Sequence, residues 1–248
     1  MKRFGLIGFP LGHSFSKAYF TEKFNREGIT DAVYDLFPLE KIGDLPGLLS
    51  AHPELLGLNV TIPYKEAVIP FLDELDEIAR EAGAVNTVRI RDGKLQGFNT
   101  DVYGFAQSIK PFLASHHERA LILGTGGASK AVYHVLDKIG IDCAFVSRDK
   151  TKLDKNQLAF AYEELNEYVL DAFRLIVNTT PLGTFPETDA CPAIPFQFLS
   201  KDHLVYDLIY NPAETEFLRR AKAQSAQTMN GLDMLRLQAE KAWEIWNG

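Results

Sequence analysis

The chain has 248 residues, of which 46% are hydrophobic and 24% charged, as is usual for a folded protein of one large domain or two small ones. Its formal net charge of −7 at pH 7 argues against a nucleic-acid-binding protein, because such proteins need a basic surface. No apolar run approaches the roughly 18 residues that a membrane-spanning helix requires, which argues against a membrane protein.

Segments typical of strands and helices alternate along the chain, and this alternation predicts an α/β protein with parallel sheets. In the first hundred residues the predicted elements are the strand FGLIGFP, the helix SKAYFTEKFNREG, the strand AVYDLFPL, a helix around LPGLLSAHP, the strand GLNVTI and one helix through PYKEAVIPFLDELDEIAREAG. A β-hairpin follows, in which AVNTVRI and KLQGFNT are joined at the turn signal Arg91-Asp92-Gly93.

A long helix, DVYGFAQSIKPFLASHH, begins at Asp101 and is expected to join two domains. The predicted elements after it are the strand RALILG, the helix SKAVYHVLDKIG, the strands CAFVSR, RLIVNTT and HLVYDLIY, and the amphipathic helices FLRRAKAQS and MNGLDMLRLQAEKAWEIW. We therefore expect residues 1–100, completed by a C-terminal helix at 230–248, to form one domain and residues 101–229 another.

The two cysteines make no disulfide framework and suit a reducing compartment. Cys143 lies in the apolar run CAFV, which favours core packing, and Cys191 has no neighbour at metal-ligand spacing. The N-terminal run lacks the small-residue cleavage site of a signal peptide. We expect a cytoplasmic protein without a metal site.

The segment LILGTGGASK carries the strongest chemical motif. A strand leads to Gly124, and Gly126 and Gly127 allow a tight turn close to a ligand. Ala128 and Ser129 then open a helix whose first N–H groups point back at that ligand, as at a pyrophosphate site. The alternative is an ordinary glycine-rich turn, but the strand before and the helix after it favour dinucleotide binding.

The end of the next strand decides which dinucleotide is expected. An NAD site needs an acidic residue about 20 residues past the glycines, to accept from the ribose hydroxyl. This chain has Ser147 and Arg148 there, followed by Asp149 and Lys152. Arg148 and Lys152 can face a 2′-phosphate, although the loop can also be a solvated basic turn and Asp149 can oppose a phosphate. The pattern favours NADP(H).

The segment GHSFS contains Ser14 and Ser16 and lies between a predicted strand and a predicted helix. It is one glycine short of the nucleophile elbow G-x-S-x-G, which raises a hydrolase as an alternative. A serine nucleophile needs a histidine base and an acid to orient it, and no plausible triad is present. Two hydroxyls in front of a helix can instead bind a carboxylate, so we interpret both serines as anion ligands.

Several polar residues interrupt the strands of the first half. Asn59 and Thr61 lie in an otherwise apolar strand, and Lys65 follows in the first turn of a helix, where a cation is unfavourable. The segments GAVNTV and GFNTDVYGF each end a strand on Asn-Thr, and Asp101 has the alternative role of a helix N-cap. Together these groups suit a small polyhydroxylated acid beside a nicotinamide.

With these motifs in view, the chain resembles the shikimate dehydrogenases over essentially its whole length. The shared motifs are GHSFS, NVTIPYKE, GAVNTV, GFNTDVYG, LGTGGASKA, the SRDKTK loop, NTTPLG, YDLIYNPAET and NGLDMLRLQAEKAWEIW. The resemblance implies an N-terminal α/β substrate domain and an NADP-binding Rossmann domain, with the substrate in a cleft between them. It also implies reversible reduction of 3-dehydroshikimate to shikimate, on the path to aromatic amino acids.

The resemblance assigns roles to individual positions. It implies that Lys65 and Asp101 are the catalytic pair and also contact the substrate. The further implied substrate contacts are Ser14, Ser16, Thr61, Asn86, Tyr210 and Gln238. The implied cofactor positions are Gly124, Gly126, Gly127, Ala128, Ser129, Ser147, Arg148, Lys152, Ile209 and Gly231.

Alternatives to this function remain open at the level of sequence. A quinate/shikimate dehydrogenase, or a paralogue that acts on a related hydroxy acid, would share the same motifs. A non-catalytic nucleotide sensor would share the fold, but it predicts a broken Lys–Asp pair, and both residues are present. The expected partner is the small-molecule substrate, and the expected assembly is a monomer or a homodimer.

Overall fold

The computed structural model describes residues 1–12, 15–150, 153 and 157–248. The chain divides into two compact units, the first made of Met1–Thr100 with Ala239–Gly248 and the second of Asp101–Gln238. The predicted α/β class is confirmed, because each unit is built on its own six-stranded sheet. The finer assignment of residues 1–100 and 230–248 to a substrate domain, and of 101–229 to a cofactor domain, stays a prediction.

The first unit consists of a mixed sheet with helices packed against it. Its elements are β1 (Lys2–Gly8), α1 (Phe15–Glu27), β2 (Ala32–Pro38), α2 (Leu45–Ala51), β3 (Leu55–Val60), α3 (Tyr64–Ala67), β4 (Glu74–Leu75), α4 (Glu77–Ala82), β5 (Thr87–Arg91) and β6 (Lys94–Phe98). The strand order is β2-β1-β3-β5-β6-β4. Strand β1 is parallel to both of its neighbours, whereas β5 is antiparallel to β3 and β6.

The β5–β6 hairpin forms where the sequence predicts it. Arg91 pairs with Lys94, so the turn has two residues, Asp92 and Gly93. Both have positive φ, 51° and 74°, which is the geometry of a type I′ turn and the reason that a glycine follows the aspartate.

The single helix predicted over residues 63–83 is wrong. That segment contains α3, a 3₁₀ turn at Ile69–Phe71, β4 and α4. Pro70 lies in the first turn of the 3₁₀ segment and has no N–H with which to continue α3. A new helix then begins at Asp76, whose side chain accepts from the Ala79 N–H at 2.8 Å.

The second unit consists of helices and a parallel sheet, and the sheet has the topology of a dinucleotide-binding domain. Its elements are α5 (Thr100–Ile109, entered at Thr100 of the first unit), β7 (Arg119–Leu123), α6 (Gly127–Lys138), β8 (Asp142–Val146), β9 (Ala159–Phe160), α7 (Glu167–Ala172), β10 (Leu175–Asn178), β11 (Leu204–Asp207), α8 (Glu216–Ala223), β12 (Gln227–Met229) and α9 (Leu232–Asn247, whose last residues belong to the first unit). Every pairing in this sheet, among the described residues, is parallel.

The strand order β12-β11-β10-β7-β8-β9 is 6-5-4-1-2-3 when the strands of this unit are counted alone. This is the Rossmann order, and it reverses between β7 and β10, where such folds bind their ligand at the carboxyl ends of the strands. Helix α5 is shorter than predicted. It gives way at Lys110–Phe112 to a 3₁₀ turn around Pro111.

Both units have apolar cores on their sheets. Along β1 the side chains alternate, so Ile7 belongs to one cluster and Phe4 and Leu6 to another, with Trp246 of α9 in the second cluster. In the second unit Leu121, Leu123 and Ile176 are buried in the central strands. Within the described part of the chain, none of the helices combines the length and apolar character that crossing a bilayer requires.

Candidate active site

A buried network of amides and hydroxyls lies where β3, β5 and the start of α5 meet in the first unit. We call Asn59, Asn86, Thr87 and Thr100 the polar network. The Asn59 side-chain amide donates to Thr87 Oγ1 at 3.2 Å. Asn86 Oδ1 accepts from the backbone N–H of Thr100 at 2.7 Å and from Thr87 Oγ1 at 3.2 Å. Four polar side chains are thereby buried at little cost, because each is hydrogen-bonded.

Of the predicted substrate contacts, the network contains Asn86. Its Nδ2 donates to Thr100 Oγ1 at 3.0 Å, and its carbonyl accepts from the Val60 N–H at 2.8 Å. Both backbone and side chain therefore fix Asn86 relative to the end of β3. Asn86 is therefore held directly before β5, beside the carboxyl end of β3.

Thr61 and Lys65 follow β3 directly. The Thr61 N–H donates to the Ile7 carbonyl at 2.9 Å, and a Cβ at Gly8 would lie 2.4 Å from Thr61 Cγ2, so only a glycine fits there. Lys65 is half-buried in the short helix α3, and its carbonyl accepts from the Val85 N–H at 2.7 Å. The helix that carries Lys65 is thus tied to the segment that carries Asn86.

Ser16 lies in the first turn of α1 and is half-buried. Ser14 lies outside the described residues, so its predicted role as an anion ligand stays a prediction.

In the second unit, Asp101 and Gln238 are brought to neighbouring helices. Asp101 is 8% exposed in the first turn of α5, and Gln238 is 7% exposed in α9. A Cβ at Gly104 would lie 2.5 Å from the Met234 carbonyl oxygen and 3.1 Å from Gln238 Cβ, so this glycine allows the two helices to touch. Asp101 lies three residues before Gly104 and therefore on the same helix face as that contact.

The predicted cofactor positions Ile209 and Gly231 are in contact. The Gly231 N–H donates to the Ile209 carbonyl at 3.0 Å, and a Cβ at Gly231 would lie 2.0 Å from the Leu208 carbonyl oxygen. Tyr210 follows and is half-buried, and burial raises its pKa. The two loops after β11 and β12 therefore form one surface.

The glycine turn after β7 has the geometry that the motif predicts. Gly124 has φ +106°, and a Cβ there would lie 2.9 Å from Thr179 Oγ1. Gly126 is the N-cap of α6, and a Cβ there would meet no atom within 4 Å. The backbone conformation of the turn thus requires a glycine at position 124, and the turn leaves space for a ligand at Gly126.

The first residues of α6 have free positions for backbone hydrogen bonding at the start of the helix. Gly127 and Ala128 occupy the first turn, where N–H groups have no partner within a helix. Ser129 is buried, and its hydroxyl donates to the Gly126 carbonyl at 2.6 Å. Ser129 therefore fixes the turn, and its predicted contact with the cofactor stays a prediction.

The loop after β8 presents Arg148 to solvent. The Ser147 hydroxyl and the Asp149 backbone bond each other at 3.0 and 3.1 Å, which shapes the loop. Lys150 is paired with Glu164 at 2.9 Å. Lys152 lies outside the described residues, so its predicted contact with the cofactor stays a prediction.

Asp207, at the carboxyl end of β11, is a buried carboxylate that the sequence reasoning missed. It accepts from Asn178 Nδ2 at 2.9 Å, the Ile209 N–H at 3.1 Å and the Thr215 hydroxyl at 2.6 Å. Burial raises its pKa to about 6, against the lowering effect of the three donors. Its position in the motif YDLIYNPAET, two residues before Ile209, was the available signal.

The same carboxylate supports the NTT motif at the reversal point of the sheet. Asn178 Oδ1 accepts from the Thr180 hydroxyl at 2.7 Å, and the Thr179 hydroxyl donates to the Leu123 carbonyl at 2.7 Å, just before Gly124. The ends of β7, β10 and β11 are therefore held by one set of hydrogen bonds. Among the residues that the structure describes, no cluster of His, Cys, Asp and Glu could hold a metal ion.

The second sheet and its glycine turn define a protein of the dinucleotide-binding α/β class. Residues 6–88 match the family model described as the shikimate dehydrogenase substrate binding domain. A shikimate dehydrogenase (NADP(+)) of Aquifex aeolicus is 40% identical over 252 residues, which cover 99% of this chain and 91% of that protein. The chain belongs to the shikimate dehydrogenase family.

Solved structures of related proteins are similar in fold over nearly the full length of this chain. The crystal structure of shikimate 5-dehydrogenase from Thermus thermophilus in complex with NADP(H) and shikimate has a TM-score of 0.87 and 33% identity, covering 100% of this chain and 94% of that one. The ligand-free 5-ketofructose reductase of a Gluconobacter strain has a TM-score of 0.86 and 32% identity, covering 99% of this chain and 92% of that one.

Proposed function

We propose that this chain is an NADP-dependent shikimate dehydrogenase, which reversibly reduces 3-dehydroshikimate to shikimate. The observation that carries the proposal is a Rossmann sheet whose second strand leads to Ser147 and Arg148, and not to an acid, in a chain related along its length to enzymes of this activity. The Thermus relative holds both NADP(H) and shikimate.

The residues of the second unit fit a dinucleotide phosphate. Space is open at Gly126, and the amides of Gly127 and Ala128 begin a 12-residue helix, so they can bind a pyrophosphate. Arg148 is exposed at the end of β8, where it can pair with a 2′-phosphate through its planar guanidinium. Ile209, after β11, and Gly231, after β12, are hydrogen-bonded to each other, which suits contact with the nicotinamide end of the cofactor.

The residues of the first unit fit a polyhydroxylated carboxylate. Ser14 and Ser16 supply hydroxyl donors for the carboxylate, and Thr61 and Asn86 supply groups for the ring hydroxyls. Asn86 is held on two sides by hydrogen bonds, so it is preorganised and costs little entropy when a substrate binds. Two residues of the second unit, Tyr210 and Gln238, are proposed as further substrate contacts.

The cofactor, when bound, supplies the hydride that reduces the ketone. As the carbonyl becomes an alcohol, its oxygen gains negative charge and takes up a proton. We assign both tasks to the ammonium of Lys65, which can stabilise the charge and donate the proton to that oxygen. In the oxidation direction the same nitrogen takes the proton back.

Asp101 has a different role in the proposal. Its carboxylate accepts a hydrogen bond from a substrate hydroxyl. The buried position of Asp101 strengthens such bonds, because the local dielectric is low. A cytoplasmic location and a monomeric or homodimeric assembly stay predictions that accompany this function.

A second candidate is the reduction of another polyhydroxylated ketone. One protein with this fold, at a TM-score of 0.86, is named a 5-ketofructose reductase, and that name gives a substrate other than shikimate. Quinate oxidation belongs to the same alternative, since quinate also combines a carboxylate with ring hydroxyls.

The test is a four-way assay of shikimate and quinate, each with NADP and NAD, followed by absorbance of the reduced cofactor. We expect the highest kcat/KM with shikimate and NADP. Faster turnover of quinate, or of 5-ketofructose with NADPH in a parallel assay, would favour the second candidate. No turnover of shikimate with either cofactor would contradict the proposed function.

A further inference from the structure

The carboxylate of Asp207 is held from two sides at the end of β11. Asn178 of β10 donates from Nδ2 to Asp207 Oδ1 at 2.9 Å, and the Thr215 hydroxyl, at the N-cap of α8, donates to Oδ2 at 2.6 Å. Thr215 gives its one hydroxyl proton to this bond, and its oxygen accepts from the Leu218 N–H at 3.3 Å. Asp207 and Thr215 are both fully buried. The carboxylate therefore has a fixed orientation.

Asn178, the first of these donors, is itself fixed. Its Oδ1 accepts from the backbone N–H of Thr180 at 3.0 Å and from the Thr180 hydroxyl at 2.7 Å. Because the oxygen of this amide is occupied by two donors, the Nδ2 group is the end that faces Asp207. Rotation of the amide would lose all three hydrogen bonds, so Asn178 keeps Asp207 Oδ1 in place.

The third donor to the carboxylate is the N–H of Ile209. Strand β11 ends at Asp207, and the Leu208 N–H still bonds the Asn178 carbonyl at 3.0 Å. The Ile209 N–H lies beyond the strand and donates to Asp207 Oδ1 at 3.1 Å. An aspartate that accepts from the N–H two residues further on forms an Asx turn. Asp207 thus sets the direction in which the chain leaves the sheet.

Ile209 connects this turn to the loop after β12. Its carbonyl accepts from the Gly231 N–H at 3.0 Å, and a Cβ at Gly231 would lie 2.0 Å from the Leu208 carbonyl oxygen. One residue therefore separates the Asp207 carboxylate from Gly231. Ile209 and Gly231 are both predicted cofactor positions, whereas Asp207 is buried beneath them.

We propose that Asp207 is a positioning residue for the nicotinamide end of the cofactor and acts through the backbone of Ile209. The inference rests on the proposed function and adds a residue to it. The carboxylate holds the Ile209 N–H before the cofactor arrives and makes no contact with cofactor or substrate. Hydride transfer needs the nicotinamide close to the ketone, and a displacement of about 1 Å can lower the rate about 100-fold.

The first test is Asp207→Ala, which removes the acceptor of the Ile209 N–H. We expect kcat for shikimate oxidation to fall about 10- to 100-fold, because the nicotinamide is less well placed. KM for NADP should rise by less than about 3-fold, since Arg148 and the amides of the glycine turn are unchanged. A parental kcat would overturn the proposal, and so would a loss that appears in KM for NADP alone.

Asp207→Asn is the conservative variant that should restore turnover. The introduced amide oxygen can still accept from Asn178 and from the Ile209 N–H, so the Asx turn is kept. We expect kcat within about 3-fold of the parent value, because the acceptor and not the charge positions Ile209. A kcat as low as that of Asp207→Ala would contradict action through this hydrogen bond.

Thr215→Val is the control for lost stability. It removes the other partner of the carboxylate and the N-cap of α8, but leaves Asp207 Oδ1 bonded to the Ile209 N–H. The melting temperature should fall, with kcat within about 2-fold of the parent. If kcat falls as far as in Asp207→Ala, the loss follows stability and the proposal is wrong.

A double variant, Asp207→Ala with Thr215→Val, replaces Asp207→Ala if that protein does not fold. Removing the hydroxyl together with its partner leaves fewer buried polar groups unpaired. The same loss of kcat, about 10- to 100-fold, is expected relative to Thr215→Val alone. A kcat equal to that of Thr215→Val would overturn the proposal.

Hydrogen exchange of the protein without cofactor, measured by mass spectrometry, tests the positioning step apart from turnover. Exchange in the peptides that contain Ile209 and Gly231 should be faster in Asp207→Ala and parental in Asp207→Asn, because a lost acceptor leaves the loop free to open. An equal increase throughout the second unit would indicate general destabilisation and overturn the proposal. A parent enzyme that does not oxidise shikimate contradicts the proposed function instead, so the two failures are distinguishable.

Discussion

The ammonium of Lys65 has two tasks in the proposed reaction, to stabilise negative charge on the ketone oxygen and to protonate it. Alanine at this position removes both. We expect Lys65→Ala to lower kcat by about 10²- to 10⁴-fold, with a much smaller change in KM, because general acid–base catalysis acts in the transition state. Steady-state kinetics in both directions measure this.

Lys94→Ala is the control for Lys65→Ala. Lys94 belongs to the same unit, is largely exposed and forms a long ion pair with Glu74 at 3.8 Å. Its loss should leave kcat unchanged. If Lys65→Ala retains near-normal kcat, the proton comes from another group, and the assigned role of Lys65 is wrong.

Arg148 is the side chain expected to distinguish NADP from NAD. A charge-assisted contact with a phosphate contributes roughly 1.5–3 kcal/mol, so Arg148→Ala should raise KM for NADP by about one to two orders of magnitude. KM for NAD should change little, because NAD lacks the 2′-phosphate. The measurement is KM for each cofactor at saturating shikimate.

Lys150→Ala tests whether any positively charged side chain of that loop lowers KM for NADP as Arg148 is expected to do. Lys150 carries the same charge two residues further on, but its ammonium is held by both oxygens of Glu164 at 3.0 and 2.9 Å. We expect a change of less than about 3-fold in KM for NADP, since an exposed and already paired charge contributes little. Equal losses in both variants would indicate a general electrostatic effect.

The loops that follow β11 and β12 depend on one glycine. A Cβ at Gly231 would lie 2.0 Å from the Leu208 carbonyl oxygen, and a backbone atom cannot move aside as a side chain can. Gly231→Ala should destabilise the protein by about 1–3 kcal/mol and raise KM for NADP, because Ile209 must shift as well. Urea unfolding and cofactor kinetics check the two effects.

Gly47→Ala is the matched control for Gly231→Ala. Gly47 lies within α2, and a Cβ there would meet no atom within 4 Å. Alanine should stabilise that helix by about 0.5–1 kcal/mol and leave kinetics unchanged. A Gly231→Ala protein as stable as the parent would contradict the close approach of the two loops.

Elements that are defined by consecutive residues could be predicted from the sequence. The glycine turn after β7 is such a case, because strand, Gly124 and helix follow one another along the chain. The helix predicted over residues 63–83 was wrong because its apolar spacing suits a helix, whereas Pro70 and the Asp76 cap divide it.

The polar network could not be predicted, for a physical reason. Asn59 and Thr87 are 28 residues apart, and Asn86 and Thr100 are 14 apart, so their pairing depends on the order of strands in the sheet. The motifs indicated that Asn59 and Asn86 are unusual for buried strands, but they carried no information about which hydroxyl each would bind. For Asp207, two partners are only 2 and 8 residues away, but its pairing with Asn178, 29 residues away, depends on the order of the strands.

The free energy of unfolding of the whole molecule depends on the protonation of its buried groups. In the second unit, the buried histidines and Asp207 change this free energy with pH in opposite directions. Burial lowers the pKa of His117 and His203, so the stability from keeping them neutral is present above their ordinary pKa of 6.5 and is lost as the pH falls below it. Asp207 has a raised pKa, so its contribution has the opposite sign. The parent protein reports only the sum.

The variant Asp207→Asn isolates the contribution of Asp207 from that of the histidines. The pKa of this carboxyl is about 6 in the folded protein and near 3.8 in the unfolded chain, so its contribution is fully present below about pH 4 and is lost as the pH rises through about 6. A difference of about two pKa units corresponds to about 3 kcal/mol. The introduced asparagine side chain has no charge, can still accept from Asn178 and the Ile209 N–H, and can donate to Thr215.

We therefore expect the stability of Asp207→Asn, relative to the parent, to increase by up to about 3 kcal/mol between pH 4 and pH 7. Urea unfolding followed by circular dichroism, at several pH values in that range, measures the difference. The histidines are present in both proteins, so their effect cancels in the subtraction. A difference that does not vary with pH would show that the three hydrogen-bond donors offset the burial of this carboxylate completely.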